Sequence, residues 1–386
     1  MKVSLTNICD FQGGTQPPKD EWIDQPAQGY VRMLQIRDFT QSDKNYIEYV
    51  KDTGKLKTCI EDDILIGRYG ASIGKILTGL AGAYNVAIVK TIPDEKVVSK
   101  KYLYWYLNSQ YFQRFISNVG SRAAQAGFNK NDLGAAQIPL VDKERQEEIC
   151  EVLEKANKLI SLRKQQLAKL DELVKARFVE MFGDPVSNPL HWKKVKLSEL
   201  ADIKIGPFGS LLHKEDYVTG GHPLVNPSHI INGKIIVDND LTLTEGKYFE
   251  LSAYRLKKND VVLGRRGEMG RCAVVDEEGL LCGTGSLLIR TNGTVTADYI
   301  QKIISFPTFK KTIEDMAVGQ TMPNLNVPIV SNFMIIIPPL SVQKDYYDFV
   351  ECVDQQKQTV QQSLEKLELM KKALMQEYFG GGVVRR

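Results

Sequence analysis

Asp63-Ile64-Leu65-Ile66-Gly67-Arg68-Tyr69-Gly70 returns 197 residues later as Asp260-Val261-Val262-Leu263-Gly264-Arg265-Arg266-Gly267. The same offset carries Asn129 onto Asn326, Gln146 onto Gln343, and Glu180-Met181-Phe182-Gly183 onto Glu377-Tyr378-Phe379-Gly380. At the start of each copy, Lys2-Val3-Ser4-Leu5 matches Lys194-Val195-Lys196-Leu197 at an offset of 192, so intervening loops differ by a few residues. Chance matches do not hold one offset over so long a stretch. The period is also far longer than the ~20–50 residues of solenoid repeats. The chain therefore reads as two copies of one large unit.

Each copy has the same layout. A β-rich head comes first, marked by short β-branched runs such as Ile64-Leu65-Ile66, Val86-Ala87-Ile88-Val89, Val261-Val262-Leu263, Leu287-Leu288-Ile289 and Met334-Ile335-Ile336-Ile337. Gly, Pro, Asn and Asp turn signals bound these runs. A helical patch is expected inside each head, over 101–119 and 297–313. A long stretch without Pro or Gly follows, from Lys143 to Phe182. Along it Ile149, Leu153, Ala156, Ile160, Arg163, Leu167, Leu170, Val174, Arg177 and Met181 step alternately by four and three, a heptad seam. The second copy repeats it with Tyr346, Val350, Val353, Lys357, Val360, Leu364, Leu367, Lys371, Leu374 and Tyr378. Each helix would run about 58 Å at ~1.5 Å per residue. Seams this long must be covered, and the economical solution is that the two helices cover each other, antiparallel. Pro185 and Pro189 break the first helix and open the second copy. The expected fold is α+β and pseudo-twofold symmetric: two mixed α/β heads separated by an antiparallel coiled coil. The boundaries expected are 1–142 (head), 143–183 (helix), 184–340 (head), 341–380 (helix) and 381–386 (tail).

Composition narrows the function. The 386 residues carry 50 Lys plus Arg against 47 Asp plus Glu, a net charge of +3 that excludes a histone-like polycation. With 43% hydrophobic and 9% aromatic residues the chain can build cores and is not disordered. No apolar run reaches the ~18–20 residues of a membrane span. The start, Met1 to Thr6, has no apolar segment of the kind a secretory signal needs. The 6 cysteines are scattered without a CxxC pair, which suggests a reducing cytosol and no zinc site. A cytoplasmic protein without membrane contact is expected. Two similar heads on a paired rod match a partner with its own pseudo-symmetry, and double-stranded DNA read at two half-sites is such a partner. A duplicated protein-interaction scaffold without DNA binding has the same symmetry.

The boxes Asp63–Gly70 and Asp260–Gly267 resemble the D-hydrophobic-G-R-x-G box of type I restriction–modification specificity subunits. Ile336-Ile337-Pro338-Pro339-Leu340-Ser341-Val342-Gln343 resembles that family's entry to its spacer helix, whereas Ile138-Pro139-Leu140 lacks the double proline. Phe182-Gly183-Asp184 and Phe379-Gly380 resemble its helix ends. The resemblance spans almost the whole chain in the order head, helix, head, helix. It implies that each head is a target-recognition domain reading one half of a split DNA sequence. It implies that the helices set the spacer and dock modification subunits, two of them, with restriction subunits joining through the complex. It also implies that the chain itself catalyses nothing and holds no cofactor. S-adenosylmethionine, ATP and Mg²⁺ are expected on the partner subunits.

DNA contact needs cations for phosphates and amide or guanidinium groups for base edges. Three matched loop sets supply them. Arg68, Tyr69 and Lys75 correspond to Arg265, Arg266 and Arg271. Arg122, Gln125, Asn129 and Lys130 lie in a glycine-bounded loop whose counterpart carries Gln320 and Asn324. Near each head's start, Gly13-Gly14-Thr15-Gln16-Pro17-Pro18-Lys19 faces Gly206-Pro207-Phe208-Gly209-Ser210 with His213 and Lys214. Structural turns with solvated cations are the competing reading of all three. Gly70-Ala71-Ser72-Ile73-Gly74-Lys75-Ile76 falls one residue short of a phosphate loop, and Ile76 replaces its hydroxyl residue. No Asn/Asp-Pro-Pro-aromatic methyltransferase loop is present, since Asn188-Pro189-Leu190 and Asn226-Pro227-Ser228 both fail it. No usable Ser/Cys/His triad spacing appears either.

Overall fold

The structure is a computed structural model that describes residues 1–41, 47–120, 127–317 and 324–380. The chain forms two compact units, Met1–Leu167 with Thr359–Arg386, and Ala168–Gln358. Each unit holds one head, half of the long helix Lys143–Phe182 and half of the long helix Leu340–Phe379.

In the first unit, strand Lys2–Ser4 pairs antiparallel with Gln137–Pro139. A four-stranded sheet follows in the order Cys9–Gly13, Ile88–Pro93, Leu65–Gly67, Ile76–Leu77. A second sheet contains the parallel pair Tyr30–Leu34 and Gly82–Tyr84. The second unit repeats this plan. Lys193–Lys196 pairs with Met334–Ile337. Its four-stranded sheet runs Ala201–Ile205, Ser286–Thr291, Asp260–Gly264, Cys272–Val274. His222–Val225 and Leu281–Cys282 form the matching parallel pair.

The repeated residues explain themselves as structural parts. Asp63 and Asp260 are buried at the entry to the central strand. Asp63 accepts from the Ile60 amide at 3.0 Å, and Asp260 accepts from the Lys257 amide at 2.7 Å. Lys90 and Arg290 reach these carboxylates, each at 2.6 Å. Gln146 and Gln343 are fully buried at the head–helix junctions. Gln146 accepts from the Ser99 amide at 2.9 Å and donates to the Val97 and Val141 carbonyls. Gln343 accepts from the Thr296 amide at 3.1 Å and donates to the Pro338 carbonyl. Ser99 and Thr296 in turn cap helices Lys100–Leu107 and Ala297–Ile304. A buried amide with its partners in place fixes the angle at which each long helix leaves its head.

The helical patches lie where expected, and the seam ends need correction. The helical patches are each two helices: Lys100–Leu107 then Gln110–Gly120, and Ala297–Ile304 then Pro307–Met316. Ser109 breaks the first by bonding the Phe112 amide, and Pro307 starts the second partner afresh. The seams end on Phe182 and Phe379, both fully buried, rather than on Met181 and Tyr378. The buried face drifts because the helix repeat exceeds the heptad step. It runs Val174, Phe178, Phe182 in one helix and Met375, Phe379 in the other.

Within each unit the helix halves run antiparallel. Asn157 meets Lys371 and Arg163 meets Ser363 in the first. Asp171 meets Lys357 and Val174 meets Tyr346 in the second. The terminal phenylalanines enter the head cores. Phe379 packs on Tyr102 and Tyr106, and Phe182 on Tyr299 and Tyr346, with ring centroids 5.2–6.0 Å apart.

Phe379→Ala and Phe182→Ala are each expected to cost ~3–5 kcal/mol in urea denaturation. Leu369→Ala, at a position 67% exposed, should stay within ~0.5 kcal/mol. Burial pushes the Cys9, Cys272 and Cys282 thiols up to about 12 and Cys150 up to about 11, whereas Cys352 is exposed. A disulfide reagent at pH 8 should therefore titrate one thiol quickly in the native chain and all 6 after denaturation.

Candidate functional site

The box glycines and arginines build one turn in each unit. Gly67 lies so close to the turn behind it that a Cβ would meet the Ser72 carbonyl at 2.2 Å. Gly70 and Gly267 adopt positive φ, +58° and +81°, which lets the chain reverse. Arg68 then points across the head, and its Nε donates to the Phe128 carbonyl at 2.9 Å. Arg265 Nε donates to the Leu325 carbonyl at 3.0 Å, the matched position. Backbone bonds hold the same residues from the other side. The Arg68 amide donates to the Ala87 carbonyl and the Arg265 amide to the Gly285 carbonyl.

These bonds bring the loop sets together. The Gly14 and Gly206 amides donate to the Ile88 and Ser286 carbonyls. A Cβ at either glycine would sit within 2.2 Å of backbone carbonyl oxygen. Each arginine is thus the meeting point of the head's first loop, its box turn and the segment preceding Asn129 or Asn326. The turns Asn85–Ala87 and Gly283–Gly285 complete the junction and were absent from the sequence-based candidates. The asparagine and paired glycines that shape them were the available signal.

The candidates divide by environment. Tyr69 is 40% exposed, stacks beside the Arg68 guanidinium at 5.0 Å and forms a bridge with Gly127. Lys75 and Arg266 are exposed, and no described residue pairs with either side chain. Arg68 has no partner for its Nη groups among the described residues, and Arg265 spends one on the Thr284 carbonyl at 3.4 Å. Burial, then the adjacent Arg266, lowers the Arg265 pKa below the usual guanidinium value. Asn324 places its Oδ1 in a buried position without a partner among the described residues.

Other candidates are engaged structurally. Asn129 caps helix Lys130–Gly134, as Asn326 caps Val327–Ser331. Lys130 pairs with Asp10 and holds that carboxyl below its ordinary range. Arg271 is tied to Glu268 at 2.9 Å and to the Pro227 carbonyl. His213 is exposed, its amide bonding Asp216, and no described contact brings it to Arg265; Lys214 opens the short helix Lys214–Asp216, and its side chain lies outside the described residues. Arg122, Gln125 and Gln320 lie outside the described residues. No group of three or more metal-ligating side chains occurs among the described residues.

Comparison with known proteins bears on this duplicated junction. The model of the type I restriction modification DNA specificity domain matches residues 1–172 and again 189–369. The specificity subunit of the type I restriction enzyme MjaVIII from Methanocaldococcus jannaschii is 23% identical over 395 residues, 97% of this chain and 90% of the relative. The MjaIX specificity subunit of the same organism is 21% identical, over 90% of this chain and 82% of the relative. The S subunit structure from M. genitalium shares the fold with a TM-score of 0.54 at 16% identity, covering 98% of this chain and 96% of that one. A chain solved in a study of type I assembly and conformational transition gives 0.66 at 15% identity, covering 99% and 97%. With the family domain present twice and spanning nearly the whole sequence, the chain belongs to the type I restriction–modification DNA specificity family, whose role is DNA sequence specificity.

Proposed function

We propose that this chain is the non-catalytic, sequence-reading subunit of a cytoplasmic type I restriction–modification complex. The heads, 1–142 and 184–340, each read one half of a bipartite double-stranded DNA target. The observation that carries this reading is the duplicated junction. The same arginine is pinned by the same bond where the same loops converge, once per unit. Two equivalent readers call for a split site rather than one continuous site. A scaffold reading leaves without use the exposed cations Lys75 and Arg266, with which no described residue pairs.

The helices supply the second role. Val152, Leu159 and Leu162 in the first unit, and Leu173 and Val179 in the second, are 38–48% exposed on the helix surfaces. Apolar side chains left on a rod in this way suit a partner's surface. We assign them to the docking of modification subunits, two per chain, which would carry S-adenosylmethionine. ATP and Mg²⁺ belong to the restriction subunits in the same reading. Among the described residues no helix is long and apolar enough to cross a membrane.

Methylome sequencing of cells with and without the gene should reveal a split methylated motif that depends on it; a continuous motif would contradict the proposal. Arg68→Ala and Arg265→Ala should each cost the assembled complex ~1–3 kcal/mol of affinity for cognate DNA. Part of that cost is the lost hold on the loop, so Lys at these positions should not rescue. Leu159→Asp with Leu162→Asp should abolish co-purification with the modification subunit while leaving the urea midpoint unchanged.

A further inference from the structure

The first unit contains a cavity of about 980 Å³ between helices Lys100–Leu107 and Gln110–Gly120 and its two long-helix halves. That is the size range of small-molecule sites. Its walls combine two chemistries. Tyr104, Tyr111 and Phe115 are half-buried, with Trp105 beneath them. Arg114, Lys371 and Lys372 also line it. Arg114 and Lys372 have no carboxylate partner among the described residues. Lys371 stands 5.2 Å from the Trp105 ring centroid and, among the described residues, donates to the Asn157 amide oxygen at 2.6 Å. The lining carboxylate, Glu368, is taken by Lys164 at 2.8 Å. Burial, and then nearby Lys164, push the Lys371 ammonium below its ordinary range.

The second unit has turned the matched position to another use. Lys302 replaces Trp105, Thr308 replaces Tyr111 and Val174 replaces Lys371. Lys357 there is paired with Asp171 at 2.7 Å and Asp354 at 3.3 Å. Thr308 bonds Asp184 at 2.7 Å, in the segment that follows Phe182. Lys311 and Lys175 keep the charge of Arg114 and Lys372, so the aromatic half of the lining is what distinguishes the first unit.

We propose that the cavity binds a nucleotide, its planar base against the aromatic side chains and its phosphates against Arg114, Lys371 and Lys372. Unpaired cations in a concave site attract an anion, and aromatic faces select one that carries a ring. The site is independent of the DNA-reading junction, so neither proposal stands or falls with the other.

Isothermal titration of the intact chain with AMP, ADP and ATP tests it, with adenosine and inorganic triphosphate as the two half-ligands. The nucleotides should bind about tenfold tighter than either half-ligand. Arg114→Glu with Lys372→Glu should weaken nucleotide binding by about tenfold or more, with an unchanged denaturation midpoint. Lys311→Glu, at the position matching Arg114 in the second unit, should change nothing. Absence of binding at millimolar nucleotide, triphosphate binding as well as ATP, or equal loss with Lys311→Glu would each overturn the assignment.

Discussion

Each head's core is finished by the end of a long helix, and the rest of the structure depends on that contact. Phe182 and Phe379 are fully buried among the aromatic residues of a head. In the second unit the plug comes from residues just upstream of the head. In the first it comes from the far end of the chain, so residues near 379 complete a fold begun at residue 1. The two buried glutamines fix the opposite ends of the same helices. Long rods with apolar seams and polar flanks gain little by folding alone.

Much of this was legible in the sequence because duplication doubles every signal. The box, the Gln at 146 and 343, and the helix ends each occur twice at one offset, so the two-copy architecture and the antiparallel pair could be derived. The strands followed from β-branched runs such as Met334–Ile337. The break at Ser109 was not visible, because a capping serine inside an aromatic-rich helix resembles an exposed helix position. The shift from Met181 to Phe182 was hidden for a different reason. A strict heptad assumes a partner helix along the whole seam, and at the end the partner is a globular core.

The candidate site was legible in its loops and less so in its atoms. Glycines and basic residues at matched positions marked the loops that converge on Arg68 and Arg265. What those arginines do could not be read from spacing. Each uses Nε to hold its own head together; among the described residues Arg68 has no partner for its Nη groups, whereas Arg265 commits one to the Thr284 carbonyl. Asn129, Lys130 and Arg271 looked alike as polar loop residues, yet a cap and two carboxylate pairs already occupy them. Only tertiary contacts separate such residues from exposed Lys75 and Arg266.

The central claim is that two equivalent junctions each address their own stretch of DNA. Hydroxyl-radical footprinting of the assembled complex on its target, with the wild-type chain and with each box-arginine variant, tests it most directly. Two separate protected patches are predicted, one weakened by Arg68→Ala and the other by Arg265→Ala. A single continuous patch, or the same loss from both variants, would contradict it.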